Sequence, residues 1–242
     1  MQRLATPIAV ALVAIFAGLP GCPSPQQQAA VPPGGPTTTP GPVASGGPTD
    51  QPVGPEGAPP GEATSEQAGV DLTGKRVVFV LAPKDFKDEE FETPYDTLGD
   101  YGAKLTVVSL QKGECVGVGG TKVQAVAVIE DVKPKDYDAI VFIGGPGMVK
   151  HLEDPKLETA AKAFVEAGKI VAAICVSPVI LARAGVLKGL RATCWRDMHS
   201  TLKEHGAEVP EESVVVSGKI ITADGPEASA GFAGALASAL SL

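Results

Sequence analysis

The residue best placed to do chemistry is Cys175. It follows the apolar run Ile170-Val171-Ala172-Ala173-Ile174 and precedes Val176-Ser177-Pro178 and a helical stretch from Val179 to Gly185. Ala173 and Ser177, two residues to either side, are small, as a sharp strand-nucleophile-helix elbow requires, because larger side chains would collide there. An elbow holds the sulfur over a helix N-terminus, where the dipole and free amides favour the thiolate, a nucleophilic and oxidisable species. A core cysteine is the competing reading, since free cysteine is among the most buried residue types. Spacing alone leaves the two open. A second strand end, Ile143, runs into Gly144-Gly145-Pro146-Gly147, where glycines let backbone amides approach a ligand.

These residues need a scaffold, and the surrounding sequence describes one. Arg76–Leu81, Leu105–Val108, Ala139–Ile143 and Ile170–Ile174 are short, almost wholly apolar and rich in β-branched residues, the pattern of strands buried on both faces. Amphipathic segments of helical length lie between them. The clearest runs from Asp154 to Gly168, opened by Asp-Pro and closed by glycine. Strand and helix alternate, which predicts an α/β fold: a flavodoxin-like three-layer sandwich, its sheet mostly parallel, with helices on both faces. Gly225-Pro226 and the Ala-rich run to Leu242 predict a last helix packed on the sheet. In such sheets, sites form at the carboxyl ends of the strands, where Cys175 and Gly144 fall.

The first 70 residues differ in kind. Residues 1–21 read as a bacterial secretory signal: Arg3, then an apolar run from Leu4 to Leu19 too short for a comfortable membrane span. Leu19-Pro20-Gly21-Cys22 resembles a lipoprotein lipobox, with Cys22 the site of lipid attachment, and the alternative is ordinary cleavage nearby to give a soluble secreted protein. Several acyl chains would hold the protein stably on a membrane, where one would be marginal. The expectation is therefore an exported lipoprotein, anchored facing the periplasm or the cell exterior. Between Pro23 and Val70 there are 12 Pro and 9 Gly, no aromatic residue and no Lys or Arg, so this stretch reads as a disordered linker. Residues 22–70 thus form anchor and tether, and 71–242 one domain with enough chain for a sizeable core.

Composition removes several function classes. A net charge of −8 and a pI near 4.9, with no run of Lys or Arg, argue against nucleic acid as a partner. Cys22, Cys115, Cys175 and Cys194 are too few and too scattered for a disulfide scaffold and include no Cys-x-x-Cys pair. No metal or other cofactor is called for. Cys115, among Gly-rich turns, reads as structural.

Ala172-Ala173-Ile174-Cys175, Pro178, Gly185-Val186-Leu187-Lys188-Gly189, Gly144-Gly145 after an apolar strand, and Asp88-Glu89-Glu90-Phe91-Glu92 before Pro94 together resemble the DJ-1/PfpI family of the class I glutamine-amidotransferase-like superfamily. The resemblance runs through nearly all of residues 71–242. It implies a reactive cysteine on the elbow, a glutamate from the first helix beside it, and frequent homodimers. Glu90, four residues before Pro94, takes that glutamate's place, while Asp88, Glu89 and Glu92 suit a solvated helix face better. A carboxyl against a thiolate should have a raised pKa and move protons at Cys175. The amides of Gly145 and Val176 stand where oxyanion donors belong, and Gly144, Cys194 and Trp195 are expected to line the pocket.

One departure narrows the chemistry. PfpI-type peptidases of this family carry histidine directly after the cysteine, where this chain has Val176. Another branch keeps a histidine on a later strand, in the region that here reads Ala192-Thr193-Cys194-Trp195. Of His151, His199 and His205, only His199 follows closely enough to reach the cleft. The resemblance therefore implies a thiol enzyme or redox-responsive stress protein acting on small reactive carbonyls, in its most concrete form a glyoxalase-like hydration. The alternatives are a PfpI-type cysteine peptidase or amidase, and a binding module without catalysis.

Overall fold

Buried β-branched runs form the centre of the molecule. The computed structural model describes residues 69–242, so the expected signal peptide, the Cys22 anchor and all but the last two residues of the expected linker lie outside the described residues. Along the chain run β1 (Arg76–Leu81), β2 (Lys84–Phe86), α1 (Asp88–Asp100), β3 (Lys104–Ser109), β4 (Gly113–Gly117), β5 (Lys122–Ala125) and β6 (Ala127–Val128). Then follow β7 (Ala139–Phe142), α2 (Pro146–Val149), α3 (Pro155–Glu166), β8 (Ile170–Ile174), α4 (Pro178–Arg183), α5 (His199–Glu204), β9 (Val214–Ser217), β10 (Ile220–Ala223) and α6 (Ser229–Ser241). Among the described residues no helix is long and apolar enough to cross a membrane.

The main sheet has the order β6-β3-β1-β7-β8-β10-β9 and is parallel except for β9, which pairs antiparallel with β10. β7 and β8 are buried at every position, as their unbroken apolar sequences require. Burying each of their Val, Ile and Phe side chains contributes about 1.5–3 kcal/mol. Helices α1 and α6 pack together on one face, and α3 and α4 on the other, giving the three layers expected from the alternating pattern. Asp154 caps α3 by accepting from the Lys156 amide at 2.9 Å, as the Asp-Pro opening predicted.

A small second sheet, β2-β4-β5, is new relative to the sequence reading. Its hairpin is held to α1 by Asp88, whose carboxylate accepts from the amides of Gly119 at 2.6 Å and Thr121 at 3.0 Å. Burial works to raise this carboxyl, but those hydrogen bonds outweigh it and hold the group below the usual aspartate value. Asp88 is therefore a structural tie, where the sequence suggested a solvated side chain.

Candidate active site

The end of β8 turns so sharply that Cys175 has φ of +64°, one of two non-glycine residues with positive φ among those described. Such a conformation costs on the order of 1–3 kcal/mol and persists only where the surroundings over-determine it. Three hydrogen bonds do so here. The Cys175 amide donates to the Ala223 carbonyl at 2.9 Å, the Cys175 carbonyl accepts from the Trp195 amide at 2.7 Å, and the buried Ser177 hydroxyl donates to the Ile143 carbonyl at 2.9 Å. The elbow is thus tied to the ends of β7 and β10.

Glu90 comes from the first turn of α1, which is fixed by its aromatic neighbours. Phe91 meets Phe79 of β1 edge to face at 5.8 Å between centroids, Phe86 at 5.7 Å and Tyr95 at 4.8 Å. With Phe91 locked into the core, Glu90 is turned inward and is 0% exposed. Pro94, four residues on, has no amide with which to bond the Glu90 carbonyl, so one helical hydrogen bond is missing in the turn that carries the carboxyl.

Gly144 separates carboxyl from thiol. A Cβ there would lie 2.6 Å from the Cys175 Cβ and 2.7 Å from Glu90 Oε2, so only glycine lets the two side chains face each other. Its amide donates to Glu90 Oε2 at 3.2 Å. Oε1 has no partner in full hydrogen-bond geometry, although carboxyl and sulfur are near enough for each to shift the other's ionisation. Gly145, at φ of +109°, packs against the β2 backbone: a Cβ would come within 2.7 Å of the Asp85 carbonyl oxygen. These glycines also make room for the protein's own backbone and reacting pair, a demand that the sequence reading did not include.

Burial pushes the Glu90 carboxyl up to about 7, offset in part by Cys175, the Gly144 amide and the nearby Lys87 charge. Burial also pushes the Cys175 thiol up to about 12, and the negative charge of Glu90 adds to it. This corrects the expected helix-dipole effect on the thiolate: Cys175 is only 8% exposed, and α4 is a mere six residues long. The amides of Gly145 and Val176 both point at the sulfur and work the other way. The thiolate is thus favoured when Glu90 holds the proton, and the two groups titrate as a pair.

The pair opens into a cleft of about 410 Å³ lined also by Lys87, Gly145, Pro146, Val149, Val176, Trp195 and Pro226. Trp195, 41% exposed, walls it as expected. Cys194 does not belong to it. That side chain is fully buried, its thiol donates to the Trp195 carbonyl at 3.4 Å, and it lines a neighbouring cavity on which His199 also borders. Adjacent residues in an extended segment point to opposite sides, so only one of Cys194 and Trp195 can face Cys175. His199 pairs with the Cys194 carbonyl at 3.1 Å and His205 with the Thr201 carbonyl at 2.9 Å; no histidine lines the Cys175 cleft among the described residues. Cys115 is buried in β4, away from the cleft. Lys87 was missed by sequence reasoning; it is the extended residue immediately before α1, three positions ahead of Glu90.

Residues 75–239 match the DJ-1/PfpI family. An uncharacterized protein of Methanocaldococcus jannaschii is 43% identical over 166 residues, covering 67% of this chain and 81% of that protein. The deglycase PfpI of Pyrococcus furiosus is 34% identical over 151 residues, covering 62% of this chain and 90% of that protein. Among solved structures, a ThiJ/PfpI domain protein from Brachyspira murdochii superposes with a TM-score of 0.68 at 33% identity, covering 69% of this chain and 98% of that one. With its elbow cysteine, its first-helix glutamate and this extent of similarity, the chain belongs to the DJ-1/PfpI family.

Proposed function

We propose that the protein is a thiol enzyme that hydrates small α-oxoaldehydes, with Cys175 as nucleophile and Glu90 as proton carrier. One observation carries the reading: a fully buried carboxyl, poised at about 7 and with one oxygen unpartnered, faces a buried thiol at the end of a small, largely apolar cleft. A carboxylate of that pKa is matched to taking and returning protons near neutrality. Sγ adds to the aldehyde carbon while its proton passes to Glu90 and on to the carbonyl oxygen, giving a hemithioacetal beside the Gly145 and Val176 amides. Glu90 next removes the hydrogen of that carbon as a proton, and the adjacent ketone carbon gains one. With the hydroxyl proton of the first carbon passing to the ketone oxygen, the first carbon becomes a thioester and the second an alcohol, an internal oxidation and reduction that balances without an external electron carrier. Water cleaves the thioester, releasing a 2-hydroxy acid and restoring the thiol.

Peptide cleavage is less well served. It requires an acid to protonate a departing amine as well as a base for the nucleophile, and Val176 occupies the position after the cysteine, with no histidine in the cleft among the described residues. The deglycase name of the Pyrococcus furiosus relative supports an enzyme over a binding module. Methylglyoxal consumption by the full chain, compared with Cys175→Ala and Glu90→Gln, tests the proposal. Loss in both variants is expected, and consumption unchanged by Cys175→Ala overturns it. The same reading includes export, a membrane anchor through Cys22 and a homodimer.

A further inference from the structure

Among the described residues, Lys87 is the only positively charged one that lines the Cys175 cleft. Its backbone is fixed on both sides: its amide donates to the Gly144 carbonyl at 3.1 Å and its carbonyl accepts from the Phe91 amide at 3.3 Å. It therefore stands within one turn of Glu90 and against the glycine loop that supplies the Gly145 amide. Its side chain is 38% exposed, well covered for a lysine, so the stem lies along protein while the ammonium reaches water. Among the described residues the ammonium has one ion-pair partner, Glu89, at a long 3.8 Å, and that carboxylate is 66% exposed. Three donors thus share one loose acceptor among the described residues, on a residue that lines a cleft whose other walls are mostly apolar. Among the described residues the only acidic group lining the cleft, Glu90, is wholly buried.

We propose that Lys87 sets specificity by receiving a terminal carboxylate, so that the substrates are short α-oxoaldehydes with an anionic end. The aldehyde carbon reaches Sγ, the chain lies against Pro146, Val149 and Trp195, and the carboxylate stays at the mouth, away from Glu90. The Lys87 charge also works to lower the Glu90 carboxyl, against its burial. This inference rests on the reading that Cys175 is the reacting thiol.

Two paired measurements on the full chain test it. Cys175 is alkylated with iodoacetate, which is anionic, and with iodoacetamide, which is neutral, and the ratio of the two rates is compared between wild type and Lys87→Gln. The ratio cancels any effect of the substitution on the thiol itself, including one through Glu90. It should fall about threefold to tenfold in Lys87→Gln, the scale of one charge at partly screened distance, and Lys87→Arg should restore it. The kcat/KM ratio of 4,5-dioxopentanoate to methylglyoxal should fall in parallel. Ratios unchanged in Lys87→Gln overturn the proposal. A falling alkylation ratio with neither aldehyde consumed upholds the anion site and rejects the hydration reading, whereas consumption of both aldehydes with unmoved ratios does the reverse.

Discussion

Replacing Glu90 by glutamine should stabilise the protein at neutral pH while disabling its chemistry. The folded state keeps the Glu90 proton up to about 7, whereas an unfolded chain releases it near 4.5. Folding therefore takes up a proton between those values. The stability linked to that proton is fully present below pH 4.5 and is lost as pH rises through 7. At about 1.36 kcal/mol per pH unit, the ionised carboxylate costs the fold about 3 kcal/mol at pH 8. Glutamine has nearly the same shape, can accept from the Gly144 amide and never ionises. Urea denaturation of the full chain at pH 4, 6 and 8 should thus show the stability difference between variant and wild type moving by about 3 kcal/mol in the variant's favour. The other carboxylates titrate alike in both proteins and cancel. A difference that stays constant with pH would refute the burial argument, because a solvated Glu90 has no such linkage.

Other substitutions test the supports of the pair. Gly144→Ala places a methyl group between Glu90 and Cys175, and overpacking of this kind costs about 1–3 kcal/mol; denaturation should show that loss together with abolished aldehyde turnover. Ser177→Ala leaves the Ile143 carbonyl without its buried donor, a loss of about 1–3 kcal/mol readable in the same assay. Cys175 should be alkylated by iodoacetamide faster than Cys115, which is buried in β4 and has no carboxyl beside it; equal labelling in the folded protein would point to a core cysteine. For the anchor, Cys22→Ala should move the expressed protein from the detergent phase to the aqueous phase, and wild type found wholly in the aqueous phase would exclude lipidation.

What the sequence makes legible here is what short-range patterns control. β7 and β8 are recognisable because burial on both faces leaves no polar position in them, and the elbow is recognisable because Ala173 and Ser177 must be small. Asp88, Glu89, Glu90 and Glu92 look alike in a one-dimensional reading. The family resemblance singles out Glu90, but the physical cause lies in tertiary contacts: the Phe91 cluster turns Glu90 inward, and the amides of Gly119 and Thr121 claim Asp88, which the sequence left as solvated. The β2-β4-β5 sheet was hidden because Gly113 to Ala125 is glycine-rich and its valines are interrupted, with no apolar run to mark a strand. Cys194 and Trp195 share a neighbourhood along the chain, but the direction of each side chain follows from backbone geometry that spacing does not record. The state of the thiol was misjudged for a related reason. A helix N-terminus can be read from sequence, whereas the burial that outweighs it depends on the whole fold.

The shared proton is the centre of the account, and the pH dependence of Cys175 alkylation by iodoacetamide reports it most directly. In the wild-type chain the rate should rise through about pH 7, as Glu90 becomes able to take the thiol proton, and then level off. In Glu90→Gln the rise near 7 should disappear and the rate should keep climbing into the alkaline range. Coincident profiles for the two proteins, with a single thiol titration in each, would contradict the coupling of Glu90 to Cys175 on which the proposed chemistry depends.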